Sequence, residues 1–144
     1  MPLRRRSAAA VIALLAALGL VMATATPANA AWSEWYNRPG QAALLACKKP
    51  VDSVYGPLWE ITLVAASSPD WSVSSTFQVR RGASVVQHVT LSSRNGPWDV
   101  RTTYASRLLG DTWYMSFGVG QISTGQGLGQ TLEGPNSFSQ IGYC

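Results

Sequence analysis

Few side chains in this chain could do chemistry: one histidine, two cysteines and seven acids among 144 residues. A hydrolytic triad needs a nucleophile, an imidazole base and an orienting carboxylate. The single imidazole, His88, falls on the wet side of an alternating run, Ser84-Val85-Val86-Gln87-His88-Val89, and no G-x-S-x-G turn accompanies it. Zinc needs more soft ligands than one histidine and two cysteines that are expected to bond to each other, so neither a metal nor a cofactor is expected. Glycoside hydrolysis needs only two carboxylates. Glu34, Asp52, Glu60, Asp70, Asp99, Asp111 and Glu133 could supply a pair, yet Asp70, Asp99 and Asp111 sit in or beside turns, where Asp serves turn geometry alone. No catalytic residue is assigned, and a small carboxylate hydrolase ranks third among the functional readings.

The cysteines belong with the start of the chain. Arg4, Arg5 and Arg6 lead into an apolar run from Ala8 to Met22, followed by Thr26-Pro27-Ala28-Asn29-Ala30, an A-x-A cleavage pattern. Residues 1–30 therefore read as a secretory signal peptide, similar in its Ala-rich style to bacterial export leaders, and residues 31–144 as one secreted domain. The apolar run is shorter than the roughly 20 residues needed to span a bilayer, so no membrane partner is expected after cleavage. Either general export or the twin-arginine route suits the three arginines. In an oxidising destination an even cysteine count implies a bond, here Cys47 to Cys144. In the chain-entropy view, closing a loop of about 100 residues is worth up to roughly 4–5 kcal/mol.

Removal of the leader also changes the charge. The whole chain carries 11 Lys+Arg against 7 Asp+Glu; the leader takes away three arginines and no acid, leaving 8 against 7. The remaining cations are scattered rather than gathered into a stripe, which argues against nucleic acid as a partner. Six Trp, five Tyr and three Phe all lie in the mature region. The composition is that of an apolar, aromatic-rich folded domain.

Those aromatics divide by context. Trp59, Trp98, Trp113, Phe77, Phe117 and Tyr104 fall on apolar faces of alternating runs and are expected in the core. Trp32 and Trp35 lie just past the leader, Trp71 lies in the loop composition Ser67-Ser68-Pro69-Asp70-Trp71-Ser72, and Tyr114 lies on a wet face. Exposed rings stack on sugars or anchor interfaces at little rotamer cost. Trp71, Trp32, Trp35 and Tyr114 are therefore the candidate ligand-binding residues, unless the N-terminal segment folds over the core and hides its own. Extracellular polysaccharide is the leading partner. The second reading is a protein-binding module, such as a protease inhibitor presenting Arg80 and Arg81 at a hairpin tip. The glycine-rich stretch Gly118–Gly129 has no phosphate-loop register and reads as a long polar loop.

What must position these residues is a sheet. Period-two alternation marks strands over Leu58–Ala66, Thr76–Arg80, Val85–Ser92, Trp98–Ala105 and Thr112–Gly120. Arg81-Gly82-Ala83-Ser84, Arg94-Asn95-Gly96-Pro97 and Leu109-Gly110-Asp111 read as hairpin turns. A strand near Phe138–Tyr143 is expected to complete the sheet and carry Cys144, while residues 39–47 suit a helix or a buried strand. The expectation is an all-β fold, a small antiparallel β-sandwich or barrel of about six or seven strands with one disulfide.

Overall fold

The computed structural model describes residues 32–144, with the side chains of residues 130–133 left aside. The leader lies outside the described residues. Among the described residues eight strands form in chain order: β1 (Ser33–Arg38), β2 (Ala42–Ser53), β3 (Gly56–Ser67), β4 (Trp71–Arg81), β5 (Ser84–Arg94), β6 (Asp99–Ser106), β7 (Thr112–Gln121) and β8 (Gly127–Asn136). They make two antiparallel four-stranded sheets, β1-β2-β3-β6 and β5-β4-β7-β8, packed as a sandwich.

The alternation that marks β4 and β7 in sequence also decides which residues enter the core. Val73, Phe77 and Val79 from β4 meet Trp113, Met115, Phe117 and Val119 from β7, against Leu44 and Ala46 of β2 and Ile61, Leu63 and Ala65 of β3. Residues 39–47 resolve as strand, because Ala42, Leu44 and Ala46 alternate inward between β1 and β3. Trp35 from β1 stacks into the same core, its ring 5.3 Å from Trp113 and 6.1 Å from Phe77.

Several expectations need correction. Arg94–Pro97 and Leu109–Asp111 are not hairpin turns: each carries the chain from one sheet to the other. The glycine-rich stretch is not a long loop but a hairpin, in which Gly118 faces Gly129 and Gly120 faces Gly127 across β7 and β8. Its turn is closed by the Gln121 N–H donating to the Gln126 carbonyl at 2.8 Å. In β5, Val79 faces Gln87 and Arg80 faces Val85, so Val86 is an extra, bulged residue. The bulge turns Val86 toward the core and leaves Val85 exposed.

The largest correction concerns β6. Trp98 and Tyr104, expected in the core, are 72% and 43% exposed. Pairing with β3 decides the face: Thr103 lies opposite Ile61, which is fully buried, so Thr103 and Ala105 share the inner side. A one-residue slip would move every side chain of β6 to the other face, turning Thr103 and Ala105 out of the core. Trp59, by contrast, is half-buried and packs against the core.

The C-terminal segment is not a full strand. Phe138–Gln140 is a single 3-10 turn, with Phe138 buried and Ile141 buried beyond it. Past that turn the chain lies beside β2 in a lone parallel bridge: the Lys48 N–H donates to the Gly142 carbonyl at 2.8 Å and the Cys144 N–H to the Lys48 carbonyl at 2.9 Å. This segment occupies the edge of β2 that β1 leaves free, since β1 pairs only as far as Ala46. Cys47 and Cys144 are disulfide-bonded. Beside the bond, the buried Lys48 ammonium sits 4.6 Å from the Trp59 ring and 5.0 Å from the Tyr143 ring and donates to the Phe138 carbonyl. Burial lowers its pKa.

Candidate binding face

The four aromatics singled out in sequence do not share a surface. Trp35 is partly buried between the sheets, where it packs on Phe77 and Trp113 rather than standing out as a platform. Trp32 is exposed just before β1. Trp71 opens β4 opposite Gln121 and lines a cleft of about 390 Å³ with Val119, Gln126 and Leu128. Tyr114 lies opposite Gln78 on the outer side of the second sheet, seven positions from Gln121, or roughly 23 Å at the usual strand rise. Its ring is covered by the Arg80 guanidinium at 4.0 Å, which is itself forked onto Gln78 Oε1 at 2.9 and 2.7 Å.

The hairpin tip is similarly committed. Arg81 turns back to pair with Asp111, Nε to Oδ1 at 2.8 Å and Nη2 to Oδ2 at 3.2 Å, and Asp111 also accepts the Ser106 N–H at 2.7 Å. That bond raises the Arg81 pKa. Neither guanidinium projects freely from the tip, which is left to Gly82 and Ala83.

The turn carboxylates are structural partners. Asp70, in the left-handed region at φ 66°, accepts Ser123 N–H at 2.8 Å, Ser123 Oγ at 2.5 Å and Gln121 Nε2 at 2.9 Å. These bonds, that of the Ser123 hydroxyl first, hold its carboxyl below the ordinary range. Asp99 accepts the Ser92 N–H at 2.9 Å and Arg101 Nε at 2.8 Å. Among the described residues no cluster of three or more His, Cys, Asp or Glu could hold a metal ion. His88 is exposed on β5 opposite Gln78.

What the fold does assemble is the outer face of the first sheet. Strand register places Leu45, Val64 and Val100 in one row, Cys47, Thr62 and Thr102 in the next, and Lys49, Glu60 and Tyr104 in a third. The third row is connected: Lys49 Nζ lies 2.9 Å from Glu60 Oε1, and the Tyr104 hydroxyl donates to Glu60 Oε2 at 3.4 Å. The hydrogen bond to Glu60 raises the Lys49 pKa. At the other end Trp98 borders a shallow hollow of about 230 Å³ with Pro39, Gly40, Ala43 and Ala66. Small alanines there leave one side of the indole open. From Trp98 to Tyr104 the face runs about 20 Å along β6.

Such a face can bind by stacking at Trp98 and Tyr104 and by exchanging hydrogen bonds at Glu60, Lys49, Thr62 and Thr102. Sequence reasoning missed it because Trp98 and Tyr104 were assigned to the core. The available signal was the near balance of the two faces of β6, since Thr103 and Ala105 are small enough to face inward at a crowded edge. The second sheet offers a contrast: away from the Arg80-covered Tyr114 ring, its outer side presents Ser74, Thr76, Thr90, Ser116 and Gly118, with no large ring open to stack on. No protein-family model, curated protein or solved structure matches this chain.

Proposed function

We propose that this is an exported, non-catalytic domain that binds extracellular polysaccharide on the outer face of its first sheet. The observation that carries the reading is the pair of solvent-facing rings at the two ends of the first sheet's outer face, Tyr104 on β6 and Trp98 immediately before it. An aromatic ring matches the apolar side of a pyranose, and the Lys49–Glu60–Tyr104 row matches its hydroxyls. The flatness of a sheet suits a polymer better than a small molecule, which needs a concave site to bury most of its surface. Export is supported by the leader pattern of residues 1–30 and by the Cys47–Cys144 bond. The absence of catalysis is supported by the engagement of Asp70, Asp99 and Asp111 in hydrogen bonds that hold loops together.

The test is depletion of the chain from Ala31 onward by insoluble chitin, cellulose and peptidoglycan. One of these polymers is expected to remove the protein from solution. Trp98→Ala and Tyr104→Ala should each weaken that depletion about tenfold, the equivalent of roughly 1.4 kcal/mol, while Trp71→Ala leaves it near the starting value. Depletion by none of the three polymers, or depletion that survives both the Trp98 and the Tyr104 substitution, rules the face out as a glycan platform.

A further inference from the structure

A second surface lies at one end of the sandwich, away from the Trp98 hollow. Val54 and Tyr55 form the tip of the β2–β3 hairpin and are 93% and 92% exposed; Leu108 and Leu109, in the β6–β7 connection, are 73% and 59% exposed. The two tips are neighbours, because Leu58 pairs with Ser106 and the Arg107 N–H donates to the Pro57 carbonyl at 3.0 Å. Four large apolar side chains crowded onto two adjacent tips is far more than scattered surface hydrophobes require.

Each tip is closed by a serine. Ser53 Oγ accepts the Tyr55 N–H at 3.1 Å and donates to the Gly56 carbonyl at 2.9 Å. Ser106 Oγ accepts the N–H groups of both Leu108 and Leu109 at 3.1 Å. The amides of three of the four protruding residues are therefore satisfied within their own loops.

We infer that this end docks on a lipid bilayer, with Val54, Tyr55, Leu108 and Leu109 entering the boundary between headgroups and acyl chains. A bilayer interior offers no water to backbone donors, so a segment that enters it gains by satisfying them internally; three of the four protruding N–H groups are satisfied in this way. Hairpin tips are convex, and a deformable lipid surface conforms to them, whereas a protein partner would need a groove of matching shape. Tyr55 suits the headgroup level, with an apolar ring and a polar end. Behind the tips the charges nearly balance. Arg107 lies over the Trp59 ring at 5.0 Å, Arg81 is paired with Asp111, and Asp52 is exposed opposite Pro57. Asp52 and Arg107 set the depth at which entry stops, and apolar insertion rather than headgroup charge carries the affinity. This departs from the sequence-based expectation of no membrane partner after leader cleavage. A two-residue tip has no periodicity to reveal which of its side chains stand in solvent.

The experiment is co-sedimentation with phosphatidylcholine vesicles and with mixed phosphatidylcholine and phosphatidylglycerol vesicles, at low and high salt. It uses the chain from Ala31, since the core cluster and the disulfide lie wholly within residues 32–144. The expected result is binding to both vesicle types that survives high salt. Tyr55→Ser and Leu109→Ser should each lower partitioning about fivefold or more, and Trp98→Ala should leave it unchanged, which separates this surface from the glycan face. Both substituted positions are exposed, and near-ultraviolet circular dichroism verifies that the fold is retained. Failure to sediment with either vesicle, binding confined to anionic vesicles and lost in salt, or equal binding by wild type and both loop variants overturns the inference.

Discussion

Asp70 shows how much a single residue can organise. Its side chain holds the β7–β8 turn through Ser123 and Gln121, its N–H donates to Asn95 Oδ1 at 3.1 Å, and its carbonyl accepts the Ile122 N–H at 2.8 Å. One left-handed residue thus ties together three connections at the end of the sandwich opposite the apolar tips. The carboxyl is held below its ordinary range, so the folded protein keeps that charge more firmly than the unfolded chain does. The stability it contributes is therefore present above the usual Asp value of about 3.9 and is lost as pH falls through the depressed folded value. Asp70→Asn is expected to lower the thermal midpoint near neutral pH and to differ progressively less from wild type below about pH 4. Asparagine tolerates the left-handed backbone, so the substitution removes the charge and one acceptor oxygen without straining the turn. Thermal unfolding followed across acid pH checks this, and a constant gap down to the lowest pH would refute it. The importance of Asp70 was legible in sequence only as turn composition, since its partners lie about 50 positions away.

At the scale of the element, β6 is where local pattern and tertiary pairing disagree. The pattern favours burying Trp98, Val100 and Tyr104, yet the strand pairs with β3 in the register that buries Thr103 and Ala105. The choice leaves a mark: the buried Thr103 Oγ1 has no hydrogen-bond partner among the described residues. A buried hydroxyl without a partner costs about 1–3 kcal/mol. Thr103→Val, which keeps the shape and removes the hydroxyl, is expected to stabilise the protein by about 1 kcal/mol, read as a higher denaturant midpoint. Destabilisation would mean that the hydroxyl is paired. By contrast, β4 and β7 were readable because they are central strands with one unambiguous apolar face each. Strand β8 was not, because its glycines carry no side-chain pattern; at Gly134, moreover, an added Cβ would lie 2.8 Å from the Trp113 carbonyl. Glycine there answers to a close approach that only the folded chain contains.

For the molecule as a whole, the disulfide is the principal closure. Cys47 and Cys144 are 97 positions apart, and the segment that ends in Cys144 places Tyr143 against Lys48 and Ile141 in the core. Replacing both cysteines with serine is expected to cost about 2–5 kcal/mol and to release the last residues from the edge of β2, with loss of the Lys48–Tyr143 contact. Urea unfolding gives the first quantity and amide exchange at Cys144 the second. An unchanged midpoint would show that the Phe138 and Ile141 anchors suffice without the covalent bond. The two sheets also divide their labour: one outer face carries open rings and an ion pair, the other short hydroxyls and glycines beside a Tyr114 ring already covered by Arg80. That asymmetry is a property of the assembled sandwich and underlies the proposed glycan face.

Sequence alone determined the all-β class, the cysteine pairing, the exposure of His88 and the inward sides of β4 and β7. Each of these follows from composition, parity of count or strict alternation, which are local quantities. Tertiary structure decided which face of β6 meets solvent, that Trp35 belongs to the core, that Arg80 and Arg81 are bound to Tyr114 and Asp111, and that Val54 and Tyr55 stand beside Leu108 and Leu109. The physical reason is common to all four. Register, ion pairing and the adjacency of loops are settled by competition between segments distant in sequence for the same buried space, and no window along the chain contains both competitors.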